Sequence, residues 1–208
     1  MILELLQSRR TIRKFLPTLP ERALLEQLIV AATSAPSASN KQPWRFLIVT
    51  NPEVKTRMAD TIRAAVERVA RHIEPQFESP FRAYGDYFTR FENAPVVIVP
   101  LYRPLTLLSS MVGAGLSPKD QQNITIMEQH SGLVSVSLAM ENLLLMAHDL
   151  GLGASGLTGP LIAADDLSRI LSIPPGWHIV ALVAVGYPAE QPAATARKPV
   201  ADVTRWII

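Results

Sequence analysis

A short segment near the start of the sequence concentrates side chains that could bind a phosphate. The segment 8–14 holds four cations and two hydroxyl groups, namely Ser8, Arg9, Arg10, Thr11, Arg13 and Lys14. Guanidinium groups beside hydroxyl and backbone donors suit a phosphate, because each charge-assisted hydrogen bond contributes roughly 1.5 to 3 kcal/mol. The alternative is a solvated basic helix end, since the helix dipole favours cations at a C-terminus. These residues alone leave both interpretations open.

A second group of polar side chains lies in the loop 36–44, between a predicted helix and a predicted strand. Asn40 and Gln42 each offer a donor and an acceptor, as the edge of a heterocycle with alternating C=O and N–H groups requires. The alternative is a turn whose Ser and Asn side chains bond to their own backbone. The density of side-chain donors favours the binding interpretation.

A glycine-rich segment, 151–156, matches the pattern G-x-G-x-x-G but follows a predicted helix. A dinucleotide-binding fingerprint requires a strand, a glycine turn and then a helix, so that the pyrophosphate meets a helix N-terminus. We therefore interpret the segment as a helix C-cap that leads into a strand, with Gly151 or Gly153 at positive φ. The residues that follow, 157–159, can still bring exposed backbone close to a flat ligand.

Other chemistries lack the residues they need. The sequence contains no cysteine, which excludes a disulfide scaffold, an iron–sulfur cluster, a thiolate zinc site and a cysteine nucleophile. Its four histidines show no ligand spacing, and Ser155 lies outside a G-x-S-x-G elbow. We therefore predict no metal site and no catalytic side chain, so that any redox chemistry depends on a bound cofactor.

Hydrophobic spacing and turn residues predict the elements that position these groups. Helices are predicted over 2–8, 21–33, 51–69, about 129–150 and about 164–171. Strands are predicted over 45–50, 95–102 and 177–187, with an extended stretch at 11–15 and an irregular insertion over 105–120. Helices interleaved with few strands, without a regular βαβ repeat, predict an α+β layer architecture.

The composition indicates one domain whose surface is partly covered by a partner. The length of 208 residues suits a single domain, and charged residues make up 18% against about 25% in typical soluble proteins. The net charge of +2 gives no indication that the protein binds a polyanion such as a nucleic acid. The helix near 129–150 is apolar on nearly every face, and the tail has little core of its own. We therefore expect that helix to be the centre of the core or a subunit interface.

The sequence shows no feature that predicts a membrane or secretory location. The most apolar segment, 131–150, is interrupted by Glu141, His148 and Asp149, which indicates a buried helix rather than a membrane span. At the N-terminus the acidic residue precedes the cations, in the reverse order of a secretory signal. We expect a cytoplasmic protein with no membrane or nucleic-acid partner.

Three of these segments, in this order, resemble the nitroreductase family of FMN-dependent oxidoreductases. They read RRTIRKF, APSASNKQPWRFLIV and ENLLLMAHDLGLGASGLTG, and VALVAVGYPAE followed by ARKPVADV resembles the family's ending. The resemblance covers nearly the whole chain as one FMN-binding domain over 1–208, with a variable insertion at about 72–128 and a C-terminal arm at about 187–208. It implies an α+β nitroreductase-like fold, with a mixed central sheet surrounded by helices. It also implies an intertwined homodimer with one FMN in each of two interfacial clefts.

The resemblance also implies roles for individual residues. Arg9 and Arg197 correspond to the arginines that bind the FMN phosphate, with Arg10, Thr11 and Lys198 beside them. Arg13 takes the position of the cation near the flavin N1 and C2 carbonyl, where a guanidinium stabilises the negative charge of the reduced ring.

Two backbone-rich segments complete the implied site. The partner subunit's loop, which faces the ribityl chain and ring edge, corresponds to Pro36, Ser37, Ala38, Ser39, Asn40 and Gln42. The backbone that faces the flavin N5 side corresponds to Leu157, Thr158 and Gly159. Three features depart from the family pattern: Glu141 replaces a common glutamine, Thr158 replaces an acidic residue of one branch, and 84–92 has no convincing match.

The implied activity is a ping-pong transfer. NADH or NADPH delivers hydride to FMN, and an electron-poor small molecule such as a nitroaromatic or a quinone then accepts the electrons. The same fold also hosts reductive dehalogenation and oxygen-dependent flavin fragmentation, and a non-catalytic flavin-binding module is a further alternative. The choice between NADH and NADPH and the natural acceptor stay open.

Overall fold

Five strands form an antiparallel sheet at the centre of the computed structural model, which describes residues 2–208. In chain order they are β1 (Trp44–Val49), β2 (Val96–Tyr102), β3 (Gly153–Leu157), β4 (His178–Ile179) and β5 (Leu182–Gly186). Their order in the sheet is β1-β2-β5-β3, and β4 pairs with β2. All pairings between these strands are antiparallel. The parallel pairing expected of a mixed sheet is confined to one bridge between Thr11 and Ala154.

Helices of very different lengths surround this sheet. In chain order they are α1 (Ile2–Ser8), α2 (Arg22–Thr33), α3 (Pro52–Ala70), α4 (Pro75–Gly85), α5 (Pro118–Asp149), α6 (Ala164–Ile170) and α7 (Val200–Val203). Three short 3₁₀ segments lie between them, at Ala38–Asn40, Asp86–Asn93 and Gly159–Ala163.

Most predicted helices are confirmed, and the differences have local causes. The helices α1, α2, α3 and α6 lie where helical spacing of apolar residues predicts them. The long helix α5 begins at Pro118, well before the predicted start near residue 129. The prediction missed these first turns because they are largely polar and lack a helical spacing of apolar residues. Ser117 caps α5 by accepting a hydrogen bond from the Asp120 backbone N–H, with Pro118 at the first helical position. Two helices escape the prediction: α4, which carries Pro80 in its interior, and the single-turn α7.

The strand predicted over 177–187 is divided into β4 and β5 by a bulge. Along β2, Leu101 pairs with Ile179, whereas Ile98 pairs with Val183, so three steps on β2 face four steps on its neighbour. Pro100 lies at this point and has no N–H to donate to the ladder. The Val180 N–H donates to the Pro100 carbonyl at 3.0 Å, which keeps the bulged chain attached to the sheet.

The sheet is covered on both faces, which explains the continuous apolar run in β2. Val96 and Ile98 face one layer with α2 and α5, whereas Val97 and Val99 face the opposite layer with α3 and α6. Each of these four valine and isoleucine side chains is fully buried. A strand enclosed on both faces has no polar side, so strict alternation is absent from it.

The long helix α5 is buried on one side only. Val136, Ala139, Leu143 and Ala147 are fully buried against the sheet and α2. On the opposite side Val134 and Leu138 remain 56% and 45% exposed. By length and composition, α5 is the helix among the described residues that could cross a membrane, but its packing is that of a core helix with one uncovered apolar side.

Candidate functional site

The N-terminal cationic segment is attached to the edge of the sheet. The Ile12 N–H donates to the Ala154 carbonyl at 3.0 Å, and the Leu16 N–H donates to the Tyr187 carbonyl at 2.9 Å. Gly153 permits this close approach, because a Cβ at this position would lie 2.7 Å from the Ile12 Cβ. The extended stretch predicted at 11–15 is therefore the neighbour of β3.

A carboxylate holds the same segment from the other side. The Glu190 Oε1 accepts the backbone N–H of Arg13 at 2.6 Å and that of Lys14 at 3.0 Å. These backbone hydrogen bonds, of which the one from Arg13 has the largest effect, hold the pKa of Glu190 below its ordinary value. Desolvation of the carboxylate acts in the opposite direction. Glu190 therefore positions the Arg13 backbone while leaving the guanidinium exposed.

Arg13 and the backbone after the glycine turn border one cavity. This cavity has a volume of about 210 Å³ and is lined by Arg13, Tyr84, Tyr87, Phe88, Ser155, Gly156, Leu157, Thr158 and Gly159. The fold therefore brings one residue of the predicted cationic segment, Arg13, to the predicted segment 157–159. Gly151 has a φ of +73°, as the predicted helix C-cap requires, and the strand β3 follows it.

Three aromatic residues on this cavity escape the sequence-based prediction. Tyr84 and Phe88 meet edge to face with ring centroids 5.0 Å apart, and the Arg90 guanidinium lies 3.6 Å from the Tyr87 ring centroid. Phe88 packs so closely on Gly159 that any Cβ there would overlap its ring. The spacing of 84, 87 and 88 is that of one helical face, a signal that could have revealed this wall.

The arginines assigned to a phosphate differ in their surroundings. The Arg9 Nε is buried and has no hydrogen-bond partner, and its nearest carboxylate, the Glu141 Oε1, lies 3.9 Å away. Arg10 instead donates from Nη1 to the carbonyls of Gln7 at 2.6 Å and Arg9 at 2.9 Å. A buried guanidinium N–H without an acceptor costs free energy of folding. An anion that accepted a hydrogen bond from the Arg9 Nε would remove this cost.

The arm residues lie apart from this cluster. Arg197 donates to the Thr195 hydroxyl at 2.8 Å, and no hydrogen bond or ion pair in the described chain links it to Arg9. Lys198 is exposed, as are the apolar side chains beyond it, with Trp206 at 83%. The single chain therefore does not bring together the residues predicted to bind the phosphate.

The loop predicted to face the ring edge lies on a different cavity. Pro36, Ser37 and Ala38 border a space of about 500 Å³. Its other wall is α5, which contributes Met127, His130, Ser131, Val134, Ser135 and Leu138. The Ala38 N–H donates to the Ser135 hydroxyl at 3.3 Å, which anchors the loop to α5.

The loop combines features of both interpretations offered for it. Ser37 Oγ accepts the Gln42 N–H at 3.0 Å, and the Gln42 Nε2 donates to the Asn40 Oδ1 at 3.3 Å, as in a turn that satisfies itself. Three non-glycine residues nevertheless take left-handed φ values, 50° at Ser39, 51° at Asn40 and 45° at Gln42. Such strained conformations concentrate at ligand sites, and most of these side chains remain exposed.

The family of the chain follows from a comparison with known proteins. A model of the Nitroreductase family matches residues 6–187, a range that includes the cationic segment 8–14, the loop 36–44 and residues 157–159. The chain belongs to the Nitroreductase family. No group of three or more potential metal ligands occurs within residues 2–208.

Curated relatives of this nitroreductase-family chain carry different activities in their names. The iodotyrosine deiodinase of Haliscomenobacter hydrossis is 28% identical over 90% of this chain and 79% of that protein. The NADH dehydrogenase of Thermus thermophilus is also 28% identical, over 96% of this chain and 92% of that protein. The 5,6-dimethylbenzimidazole synthase of Rhodobacter capsulatus is 25% identical over 89% and 82%. The family therefore identifies a flavoenzyme class that supports several reactions.

Solved structures confirm the predicted nitroreductase-like α+β fold. A BluB-like flavoprotein from Clostridium difficile has a TM-score of 0.87 at 23% identity, over 100% of this chain and 99% of that chain. An oxidized iodotyrosine deiodinase bound to FMN and 3-iodo-L-tyrosine has a TM-score of 0.74 at 23% identity, over 100% of both chains.

Proposed function

We propose that this chain is an FMN-dependent oxidoreductase that takes hydride from NADH or NADPH and reduces an electron-poor acceptor, such as a nitroaromatic or a quinone. One observation carries the proposal: Arg13 and residues 157–159 border the same cavity. A cation at one edge of a flavin can bind the ring and adjust its reduction potential, and exposed backbone at another edge can donate hydrogen bonds to it. We propose a cytoplasmic location, without a membrane or nucleic-acid partner.

The residues of the cationic segment fit an FMN phosphate. The buried Arg9 Nε lacks an acceptor, and a phosphate oxygen would supply one through a charge-assisted hydrogen bond. Thr11, which bridges to Ala154 at the edge of β3, adds a hydroxyl two residues away. We assign Arg10, Arg197 and Lys198 to the surroundings of the phosphate, with the arm approaching Arg9 only in an assembled dimer.

The site is proposed to be completed by a second copy of the chain. The cavity beside Arg13 measures about 210 Å³, which is small against the roughly 300 to 1,000 Å³ of typical ligand pockets. The loop 36–42 and the exposed side of α5 form a separate, largely apolar surface. Pairing two chains through this surface would cover it and deliver the partner's Ser39, Asn40 and Gln42 to the flavin ring edge.

The chain's own residues supply binding and electrostatics. When bound, FMN supplies an N5 atom that accepts and returns hydride. With FMN bound, the Arg13 guanidinium would stabilise negative charge on the reduced ring, and the backbone of residues 157–159 would face the side of the ring that exchanges hydride. Tyr84 and Tyr87 present exposed ring surface at the same cavity, where a planar acceptor can stack. No side chain is required as a nucleophile or general base.

The test is a two-stage anaerobic reaction of the FMN-loaded protein. NADH or NADPH should bleach the flavin absorption, and a quinone or nitroaromatic added afterwards should restore it without net loss of flavin. Failure of both nicotinamides to bleach the flavin, or failure of every acceptor to restore it, would overturn the proposal. Binding of FMN without either step would identify a non-catalytic flavin-binding module.

Two alternative flavin reactions have support among the relatives. The name iodotyrosine deiodinase supports reductive dehalogenation. The name 5,6-dimethylbenzimidazole synthase supports oxygen-dependent fragmentation of the flavin. Release of iodide from an iodotyrosine by the reduced protein would favour the first. Consumption of the protein's own FMN in air, with a benzimidazole product, would favour the second.

A further inference from the structure

A second cationic cluster lies around one indole ring near the β1 edge of the sheet, whereas Arg13 lies beside β3 at the opposite edge. The Arg45 Cζ lies 4.4 Å from the centroid of the Trp177 ring, and the Arg103 Cζ lies 5.6 Å from it. Arg103 also lines a cavity of about 280 Å³ together with Lys41 and residues 104–107. We refer to Lys41, Arg45, Arg103 and Trp177 as the indole cluster.

The sheet determines the geometry of the indole cluster. Arg45 lies on β1 opposite Leu101 of β2, and Arg103 follows two residues later on the same side of that chain. The Arg103 N–H donates to the Pro43 carbonyl at 3.1 Å, which ties the end of β2 to the loop that precedes β1. The cluster is therefore built on a rigid frame directly beside the loop 36–42.

The charges of the indole cluster are not neutralised by carboxylates. Elsewhere in the described chain, six arginines lie within ion-pair distance of Asp or Glu side chains, namely Arg9, Arg22, Arg63, Arg68, Arg82 and Arg169. Within residues 2–208, no ion pair involves Lys41, Arg45 or Arg103. The carboxylate of Glu128, which packs under the neighbouring segment, instead accepts the backbone N–H of Leu108.

Two guanidinium groups on one ring repel each other, and this repulsion requires compensation. The indole supplies part of it through cation–π attraction and holds both groups in place. An anion between the cations would supply the rest, and planar guanidinium forks bind phosphate oxygens in pairs. With a net charge of only +2 on the whole chain, this local excess indicates a small phosphate-bearing ligand rather than a polyanion.

We propose that the indole cluster binds the diphosphate of the nicotinamide dinucleotide that reduces the enzyme. This inference rests on the proposed function, because the loop 36–42 beside the cluster is the one we assign to the partner subunit's flavin. Because Lys41 of that loop shares a cavity with Arg103, a dinucleotide held here by its diphosphate would direct its nicotinamide toward that site. The cluster then contributes to binding of the reductant, while the hydride step depends on the flavin cavity.

The test compares two reductants that differ in phosphate content. NADH carries the diphosphate, whereas benzyl dihydronicotinamide carries the same reactive ring without any phosphate. In the FMN-loaded double variant Arg45→Gln/Arg103→Gln, the concentration of NADH that gives half-maximal flavin reduction should rise about tenfold or more. The maximal rate with NADH and all values with benzyl dihydronicotinamide should stay unchanged.

Control variants separate local binding from net charge and from folding. Arg57→Gln/Arg71→Gln removes the same charge from two exposed arginines, one in α3 and one at its C-cap, that form no ion pair in the described chain, and should leave both reductants unaffected. Arg45→Lys/Arg103→Lys keeps the charge and should recover part of the NADH affinity. Equal unfolding temperatures of all variants would exclude a folding defect.

Several outcomes would overturn the inference. Unchanged NADH dependence in the glutamine variant, or an equal loss with both reductants, would contradict a phosphate site in the indole cluster. A defect confined to an anionic acceptor would assign the cluster to the acceptor instead. If neither NADH nor NADPH reduces the wild-type protein, the proposed function itself fails. A failure of the indole-cluster inference alone would instead show normal reduction by NADH in both the wild-type protein and the glutamine variant.

Discussion

Replacing Gly153 by alanine should separate the cationic segment from the sheet. The added Cβ would lie 2.7 Å from the Ile12 Cβ, whereas non-bonded carbons prefer about 3.5 to 4.0 Å, so the segment must move by about 1 Å. That shift stretches the hydrogen bond from the Ile12 N–H to the Ala154 carbonyl, now 3.0 Å, beyond its normal range.

The cost of this displacement can be bounded from its parts. Overpacking costs about 1 to 3 kcal/mol and the weakened hydrogen bond about 1 kcal/mol, while the reduced freedom of the unfolded chain returns about 0.4 to 1 kcal/mol. The net loss of about 1 to 3.6 kcal/mol should lower the Tm by about 2 to 14 °C for a chain of this size. FMN affinity should fall as well, because Arg9 and Arg13 flank Ile12.

Thermal unfolding with and without FMN measures both effects. Gly156→Ala is the matched control for stability, since its Cβ would lie 3.5 Å from the Met140 Cε, an ordinary contact on the same strand. A Gly153→Ala protein as stable as wild type, or as stable as Gly156→Ala, would refute the close packing of Ile12 on β3.

Three further substitutions test the site. Glu190→Gln should lower the Tm at neutral pH. Because folding lowers the pKa of Glu190, its carboxylate stabilises the fold above the ordinary value of 4.5, and this stabilisation is lost as the pH falls below that value toward the pKa in the fold. The Tm difference between wild type and Glu190→Gln should therefore vanish in acid. Arg9→Ala combined with Arg197→Ala should weaken FMN binding by several kcal/mol in an equilibrium titration, and unchanged affinity would remove the phosphate assignment. Arg13→Gln should lower the flavin midpoint potential by about 30 mV or more in a spectroelectrochemical titration, since about 1.4 kcal/mol of stabilisation of the reduced ring is lost; an unchanged potential would place Arg13 away from the N1 edge.

Helical spacing and strand composition predicted most of the scaffold. The helices with one apolar face, such as α2 and α3, follow the spacing of their buried residues closely. The first third of α5 was missed because its turns are largely polar, and α4 was missed because Pro80 interrupts its helical pattern. The bulge between β4 and β5 depends on Pro100 of another strand, a long-range effect that local pattern cannot reveal.

The candidate site could be predicted only in part. The motifs identified Arg13 and residues 157–159, and the fold joins them on one cavity. The aromatic wall at Tyr84 and Tyr87 belongs to an insertion without a family pattern, so only its helical spacing marked it. Within residues 2–208, neither the loop 36–42 nor Arg197 lines that cavity. If a second chain supplies them, no pattern within one chain can show the complete site.

The central claim is that two copies of this chain bind FMN in clefts to which Arg9, Arg13 and the partner loop contribute. The most direct test is a titration of the flavin-free protein with FMN, followed by absorption and by sedimentation. The account predicts saturation at one FMN per chain, on a dimer. A protein that remains colourless and takes up no added FMN would contradict it.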